Sequence, residues 1–538
     1  MPEQNTSWVV VTGGVISTLG KGVVSSSIGL LLKSRGYAVD MVKIDPYINV
    51  DAGTMRPTEH GEVFVTFDGG ETDQDIGNYE RFLNQKISKN NNITTGQVFK
   101  QVIQNERDLK YDGKCVQLMH HIPKEIERRL RKVSKEKDVV VVEIGGTVGD
   151  YENIPFLETL RRMKMQGCDV QFVHVSYLPV PPTAGEMKTK PTQHSVKELN
   201  RQGISANYII GRSKKPLDNP RKEKISLFCN VPKQNVISCP DLKSIYDVPL
   251  LFKKEGFDKK LIENSNMEYK PFTSLLDAWV ETKNKVLKGN VKIGIVGKYF
   301  ETGDFNLEDS YISVIEAIKH AATKAGVSAD IQWLSSLAYE EDERRLEELS
   351  DFDGVIVPGG FGKSGVDGKI EAIRYVRENN IPFLGLCYGL QLAVVEHARN
   401  KLGLDAHTTE IDEKTSHPVI SLLPEQIKKM KESDYGASMR LGEQEAYLKK
   451  GTKTFDAYGK RVVFERHRHR YEVNPIYADE LESDGLVVSG YHPEKKLVEF
   501  IERDDCDFFL ATQAHPEFTS SPLRPNPMFV SFIDAAKK

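Results

Sequence analysis

Short apolar runs alternate with amphipathic stretches along this chain, and the pattern starts twice. Val9-Val10-Val11 is β-branched with no helical period, which predicts a buried strand. It runs into Gly13-Gly14 and then a stretch carrying Ile28, Leu31 and Leu32 on one face. That predicts strand, glycine turn and a helix from near Lys21, ended by Gly36. Further strands are predicted over 38–44, 138–144, 170–175, 208–211 and 236–238, with helices over 94–107 and 123–137. Such alternation implies a parallel sheet with ligands at the carboxyl ends of its strands. Residues 49–92 are polar and weakly periodic: either a functional loop or a solvated excursion. Leu275, Leu276, Trp279, Val280 and Val286 have helical spacing, which predicts a linker helix. The alternation restarts at Val291, with a helix over 310–325, a strand over 330–334, a helix over 340–349 and a strand over 354–357. The expected fold class is therefore α/β. Two doubly wound parallel-sheet domains, 1–268 and 291–538, are expected around a linker helix at 269–290.

Composition narrows the class. At 538 residues the chain exceeds a single core, and 39% hydrophobic with 28% charged residues is ordinary for a globular protein. A net charge of −4 gives no footprint for nucleic acid or an anionic membrane. No signal peptide and no bilayer-spanning run is expected. The six cysteines include no Cys-x-x-Cys pair, which argues against structural zinc and disulfides and for a reducing cytoplasm.

The candidate chemistry of the first half is phosphate binding. Strand, glycine turn and helix N-terminus present backbone amides to one point, and Lys21 adds a charge for outer phosphates. The alternative is a bare strand-to-helix turn. Gly22 follows Lys21 where phosphate loops usually carry Ser or Thr for magnesium, so carboxylates are expected to hold the metal. Glu143 ends the run Val139-Val140-Val141-Val142 before Gly145-Gly146, and a buried acid needs a partner. Either Mg2+ shared with Asp75 or neighbouring amides would serve. Lys43-Ile44-Asp45-Pro46-Tyr47 should face the same crevice. The stretch 185–195 interleaves cations with hydroxyls and an amide, suiting a triphosphate and a polar base; a solvated charged face is the alternative.

The second half carries nucleophile chemistry. Leu384-Gly385-Leu386-Cys387-Tyr388-Gly389 is a nucleophile elbow with cysteine as nucleophile. The helix that follows favours the thiolate. Tyr388 and Gly360 can supply oxyanion amides. His515 and Glu517 lie on one face of an extended segment, so the acid can orient the base. The other five cysteines are expected to be small core residues. Glu465-Arg466-His467-Arg468-His469-Arg470 reads as a strand with alternate residues in solvent, or as a pairing site for a substrate carboxylate through Arg470.

These residues resemble the CTP synthase family. The likeness lies in 13–22, Lys43 to Asp51, His60-Gly61-Glu62-Val63-Phe64-Val65-Thr66, 142–149, 188–195, 359–362, 465–474 and His515-Pro516-Glu517-Phe518. It covers nearly the whole chain. It implies a synthetase domain that phosphorylates UTP at the uracil 4-oxygen and a class I glutamine amidotransferase domain that supplies ammonia. By position, ATP would meet Thr18, Leu19, Gly20, Lys21, Gly22, Val23, Asp75, Arg212, Pro240, Asp241 and Leu242. Asp75 and Glu143 would be the magnesium ligands. Ser17, Lys188, Thr189, Lys190, Pro191, Thr192, Gln193 and Lys224 would meet UTP, with Asp150, Tyr151 and Glu152 at the CTP inhibitor pocket. Cys387, His515 and Glu517 would form the triad. Gly360, Tyr388, Gly389, Leu390, Gln391, Glu410 and Arg470 would bind glutamine. Pro57, His60 and Val63 would line an ammonia tunnel. The family also implies homotetramers, filaments in several members, and activation by GTP. Ser364 stands where the family usually has Arg, a lost bidentate phosphate donor, so weaker GTP activation is expected. Two rival readings remain at this point. One is an ATP- and glutamine-dependent amidase acting on a carboxylate, and the other is a non-catalytic nucleotide-dependent scaffold.

Overall fold

In a computed structural model, residues 6–183, 185–298, 301–302, 305–306, 308–422 and 439–537 are described. The chain forms two compact units. One comprises Met1–Ala52 with Asp75–Lys283, the other Gly53–Gln74 with Asn284–Lys538. The second unit thus includes a piece of the polar 49–92 stretch.

The first unit is built on a seven-stranded sheet of β1 (Ser7–Gly14), β2 (Val39–Asp45), β3 (Asn92–Thr94), β4 (Val139–Ile144), β5 (Val170–Tyr177), β6 (Tyr208–Ser213) and β7 (Val236–Pro240). The order is β3-β2-β4-β1-β5-β6-β7, every pair parallel. Val9 to Val11 and Val139 to Val142 are fully buried, as strands covered on both faces must be. Helix α1 (Lys21–Ser34) starts at Gly20, whose φ of 77° is a left-handed value that glycine adopts without strain.

Three expectations change here. Residues 49–92 contain a hairpin, Phe64–Val65 with Glu71–Thr72, and helix α2 (Gln74–Leu83), which buries Ile76, Tyr79 and Phe82. The helix expected from Pro123 runs over Leu118–Val133, because Ile122 already belongs to the buried stripe Ile122, Ile126, Leu130, Val133. The linker helix is shorter: α3 (Ser274–Lys283) buries Leu276 and Trp279, Trp279 lying 5.5 Å from Phe82 and 5.8 Å from Tyr246. Val286 lies beyond it, exposed.

The second unit holds a nine-stranded sheet of β8 (Asn290–Gly297), β9 (Ser328–Ser335), β10 (Gly354–Val357), β11 (Phe383–Leu386), β12 (Arg440–Leu448), β13 (Val462–His469), β14 (Leu486–Tyr491), β15 (Val498–Arg503) and β16 (Phe509–Thr512). Its order is β9-β8-β10-β11-β16-β15-β14-β12-β13. The pairs from β9 to β16 are parallel and the remainder antiparallel. Helices α4 (Ile312–Ala325) and α5 (Val366–Glu378) belong to this unit, and α6 (Tyr388–Asn400) follows β11 directly. The carboxyl ends of β10, β11 and β16 are neighbours, so the turns after them converge.

Candidate active sites

In the first unit the loop after β1 holds Lys21 buried at the start of α1, its Nζ 2.8 Å from the Gly146 carbonyl. Burial lowers the Lys21 pKa, while Glu143 and Asp75 raise it. A Cβ on Gly22 would lie 2.0 Å from Asp75 Oδ1. The carboxylate therefore fills the place where other phosphate loops carry a Ser or Thr side chain. Lys43 on β2 donates to Asp75 and, at 3.3 Å, to Glu143. Tyr79 from α2 donates to Glu143 at 2.5 Å. Burial, then the Asp75 charge, push Glu143 up to about 7, against the pull of Lys43. Tyr79 was not singled out from the sequence, although Ile76, Tyr79 and Phe82 share the helical period that signals α2.

Among the described residues no group of three or more His, Cys, Asp or Glu side chains is arranged to hold a metal. Two carboxylates that already converge on an ammonium suit Mg2+, which keeps waters and takes substrate phosphates as further ligands.

At the ends of β6 and β7, Arg212 donates to the carbonyls of Cys239 and Pro240 and pairs with Asp241 at 3.1 Å. A Cβ on Gly20 would lie 3.8 Å from Arg212 Nε, so this corner borders the lysine loop. Thr18 and Ser17 are exposed, Leu19 is buried, Val23 is half-buried and Leu242 is exposed. A helix spanning Lys190–Arg201 presents Lys190 and Pro191 in its first turn. Ser176 donates to Thr192 at 2.9 Å, and Gln193 reaches Thr189 at 3.0 Å. Beneath them His174 bridges Thr12 (2.9 Å) and Ser195 (2.7 Å), tying β1 to this helix. Burial holds His174 neutral, down to about 3. Lys188 and Arg221 pair with Glu186, and Lys224 also acts on it. Asp150 accepts from the Thr147 amide (2.6 Å) and hydroxyl (2.8 Å), while Tyr151 and Glu152 stand exposed beside it.

In the second unit Cys387 is the sharp corner between β11 and α6, with φ 50°. The residues two positions before and after it must be glycine. A Cβ on Gly389 would meet the Val357 carbonyl at 2.2 Å, and one on Gly385 would meet Ala511 Cβ at 2.8 Å. Tyr388 opens α6, where amides point out of the helix end. His515 follows β16, its amide bonded to the Arg466 carbonyl at 2.7 Å and its Nδ1 to Glu517 at 2.7 Å. The segment is not extended as expected. Pro516–Thr519 is a 3-10 turn started by the proline, with His515 as its N-cap and Glu517 inside it. Burial acts to lower the His515 pKa, but Glu517 and Cys387 raise it to about 10.

A cavity of about 340 Å³ opens on Cys387 and His515. Gly360, Tyr388, Gln391, Glu410 and Arg470 line it, as do Pro57 and Val63. Gly389 and Leu390 lie buried behind it in α6. Glu410 accepts from the Gly362 amide at 2.8 Å, and Gln391 donates to the Tyr471 carbonyl at 2.9 Å. His60 is outside this lining and faces Asp73 at 3.7 Å. The 465–470 strand is not open to solvent on alternate residues: Arg466, His467 and His469 are all buried. Of the remaining cysteines, Cys229, Cys239 and Cys506 are buried as expected, but Cys115 is exposed and Cys168 half-buried.

Two family models match, one to each half of the chain. Residues 306–535 match the family described as "Glutamine amidotransferase class-I", which places the second half among the amidotransferases. Residues 7–267 match the family described as "CTP synthase N-terminus". CTP synthase from Pyrococcus furiosus is 51% identical over 539 residues, spanning 99% of this chain and 98% of its own length. That from Methanocaldococcus jannaschii is 49% identical over 540 residues, 98% of each. Among solved structures, the glutaminase domain of Trypanosoma brucei CTPS with bound acivicin is 38% identical, with a TM-score of 0.43 over 46% of this chain and 94% of that one. The chain belongs to the CTP synthase family. No helix among the described residues is long and apolar enough to cross a membrane.

Proposed function

We propose that the chain aminates UTP to CTP at the expense of ATP, with nitrogen taken from glutamine at Cys387. The observation that carries this reading is the convergence of Cys387 and the His515–Glu517 pair on one cavity, in a chain whose other unit bears the Lys21 loop. The Cys387 thiolate attacks the glutamine amide carbon, and Gly360 and Tyr388 amides hold the oxyanion. As the C–N bond breaks, His515 gives its Nε2 proton to the leaving nitrogen, and Glu517 keeps the ring oriented. Water then cleaves the thioester to glutamate. Gly389, Leu390 and Gln391 shape the pocket wall, and Glu410 and Arg470 hold the amino and carboxyl groups of glutamine.

In the first unit, Thr18 to Val23, Arg212, Pro240, Asp241 and Leu242 bind ATP, and Lys21 steadies charge on the transferred phosphoryl group. Ser17, Lys188 to Gln193 and Lys224 bind UTP. The uracil 4-oxygen takes the phosphoryl group, ammonia adds at C4, the carbon that bears it, and the C4–O bond breaks as phosphate leaves. Asp75 and Glu143 would hold Mg2+, which neutralises phosphate charge when bound. Pro57 and Val63, on the cavity wall, and His60 belong to the ammonia route. CTP acts as feedback inhibitor beside Asp150, Tyr151 and Glu152. Homotetramers, filaments, a cytoplasmic location and GTP activation weakened by Ser364 complete the proposal.

The test is an incubation with UTP, ATP, magnesium and either glutamine or ammonium, with nucleotides separated by chromatography. CTP from both nitrogen sources supports the reading. ATP hydrolysis stimulated by a carboxylate acceptor and not by UTP would overturn it.

A further inference from the structure

The sequence 465–470 and the segment Gly53–Gln74 both lie in the second unit, and each explains the other. Arg466 and Arg468 sit two apart on β13, so their side chains share a face. Arg466 Nη1 donates to the Val65 carbonyl at 2.9 Å and its guanidinium lies 5.2 Å over the Phe64 ring. Arg468 pairs with Glu71 at 2.8 Å and donates to the Gly53 carbonyl at 3.1 Å. The main chain of the same two arginines faces the reactive residues. The Arg466 carbonyl accepts the His515 amide, and the Arg468 carbonyl lies 3.9 Å from Cys387 Sγ.

Side chains make a second connection. Phe64 is fully buried and meets Phe518 edge to face, centroids 5.0 Å apart at 60°. Phe518 in turn stacks flat on the His515 ring, 5.1 Å away at 14°. Such ring pairs have preferred geometries, so the tilt of one constrains the next. His515 is also confined by Gly359, where a Cβ would come within 2.8 Å of the imidazole Cε1. Glu62 fixes the same segment further along, bonding the amide and hydroxyl of Ser313 in the first turn of α4.

We infer that Phe64 is a positioning residue for His515, acting through Phe518, so that the seating of Gly53–Gln74 sets the rate of ammonia release. This rests on the glutaminase reading above. The segment that carries Pro57 and Val63 on the cavity wall thereby also controls the base that liberates the ammonia. Phe64 touches no substrate; its effect is on the orientation of the imidazole.

The experiment measures glutamate release by the full-length enzyme with ATP, UTP and magnesium present. Phe64→Leu, Phe518→Leu and the double variant are compared, with thermal unfolding to show that each is folded. A base displaced by a fraction of an ångström lowers kcat about tenfold, with KM for glutamine within about twofold. Because both rings act through one stack, the double variant is no slower than the slower single variant. Phe64→Met, which fills the space with a flexible chain, serves if Phe64→Leu does not fold, and shows the same loss. Wild-type kcat in the Phe64 variants, or losses that multiply in the double variant, would overturn the inference. If Cys387→Ala hydrolyses glutamine as fast as the wild type, the glutaminase reading fails instead.

Discussion

Replacing Gly389 by Ala tests the elbow without touching a reacting atom. By intrinsic propensity the change favours the helix, since Ala is better than Gly by about 1 kcal/mol in a helix interior. Sterics oppose it. The added Cβ would lie 2.2 Å from the Val357 carbonyl oxygen, 3.1 Å from its carbon and 3.4 Å from its Cβ. An ordinary C···O contact is about 3.3 Å, so the first turn of α6 must retreat by about 1 Å. There is no slack behind it: Gly385 is packed so closely that its own Cβ would meet Gly389 at 3.0 Å and Ala511 at 2.8 Å. The retreat is passed to Tyr388 and Cys387, one and two residues upstream. A displacement of that size costs about 10²-fold in rate, or about 2.7 kcal/mol in the barrier, whatever the change does to helix stability. The assay is glutamate release, beside CTP formation from glutamine and from ammonium. Glutamine-dependent rates should fall about 100-fold while the ammonium-dependent rate stays within about twofold. Glutamine-dependent activity within about threefold of wild type would refute the elbow argument.

Further outcomes follow from the electrostatics. Glu517→Gln removes a charge that raises His515 to about 10; the imidazolium then deprotonates at lower pH, so the alkaline limb of glutaminase kcat moves down, as a pH profile would register. The stability held by that charge is full below a pH of about 6.5 and lost as pH rises through the folded value, and the variant lacks it. Lys21→Met should stop CTP formation from either nitrogen source by about 10³-fold, yet leave the second unit able to form a thioester with a glutamine analogue. Removing magnesium with a chelator should abolish ammonium-dependent synthesis and spare basal glutamine hydrolysis. Ser364→Arg should strengthen the response of glutamine-dependent synthesis to GTP; equal titration curves for the two proteins would contradict this.

Local signals were legible and long-range pairings were not. Val9 to Lys21, Val139 to Gly146 and Phe383 to Gly389 each carry strand, glycine turn and polar group within one short stretch, so pattern and chemistry coincide. Gly22 even signalled a displaced carboxylate, and Asp75 fills that place. The roles of Arg466 and Arg468 depend on Val65 and Glu71, roughly four hundred positions away, and no periodicity reports such a pairing. A strand with charges on alternate residues looks solvated when its neighbours are unknown. Helix α2 was hidden for another reason: its apolar positions Ile76, Tyr79 and Phe82 are embedded in an acidic, glycine-rich stretch that masks their period. The turn at Pro516 is a lesser case. Residues 515 and 517 share a face in an extended chain and also meet at the start of a 3-10 turn, so the pairing was visible while the backbone was not.

The central claim is that nitrogen freed at Cys387 is the nitrogen added to uracil. Amide-15N glutamine supplied with excess unlabelled ammonium, at a pH where free ammonia is scarce, tests it by mass spectrometry of the product. The account predicts CTP carrying the glutamine label almost undiluted. CTP labelled only in proportion to the mixed pool would contradict it.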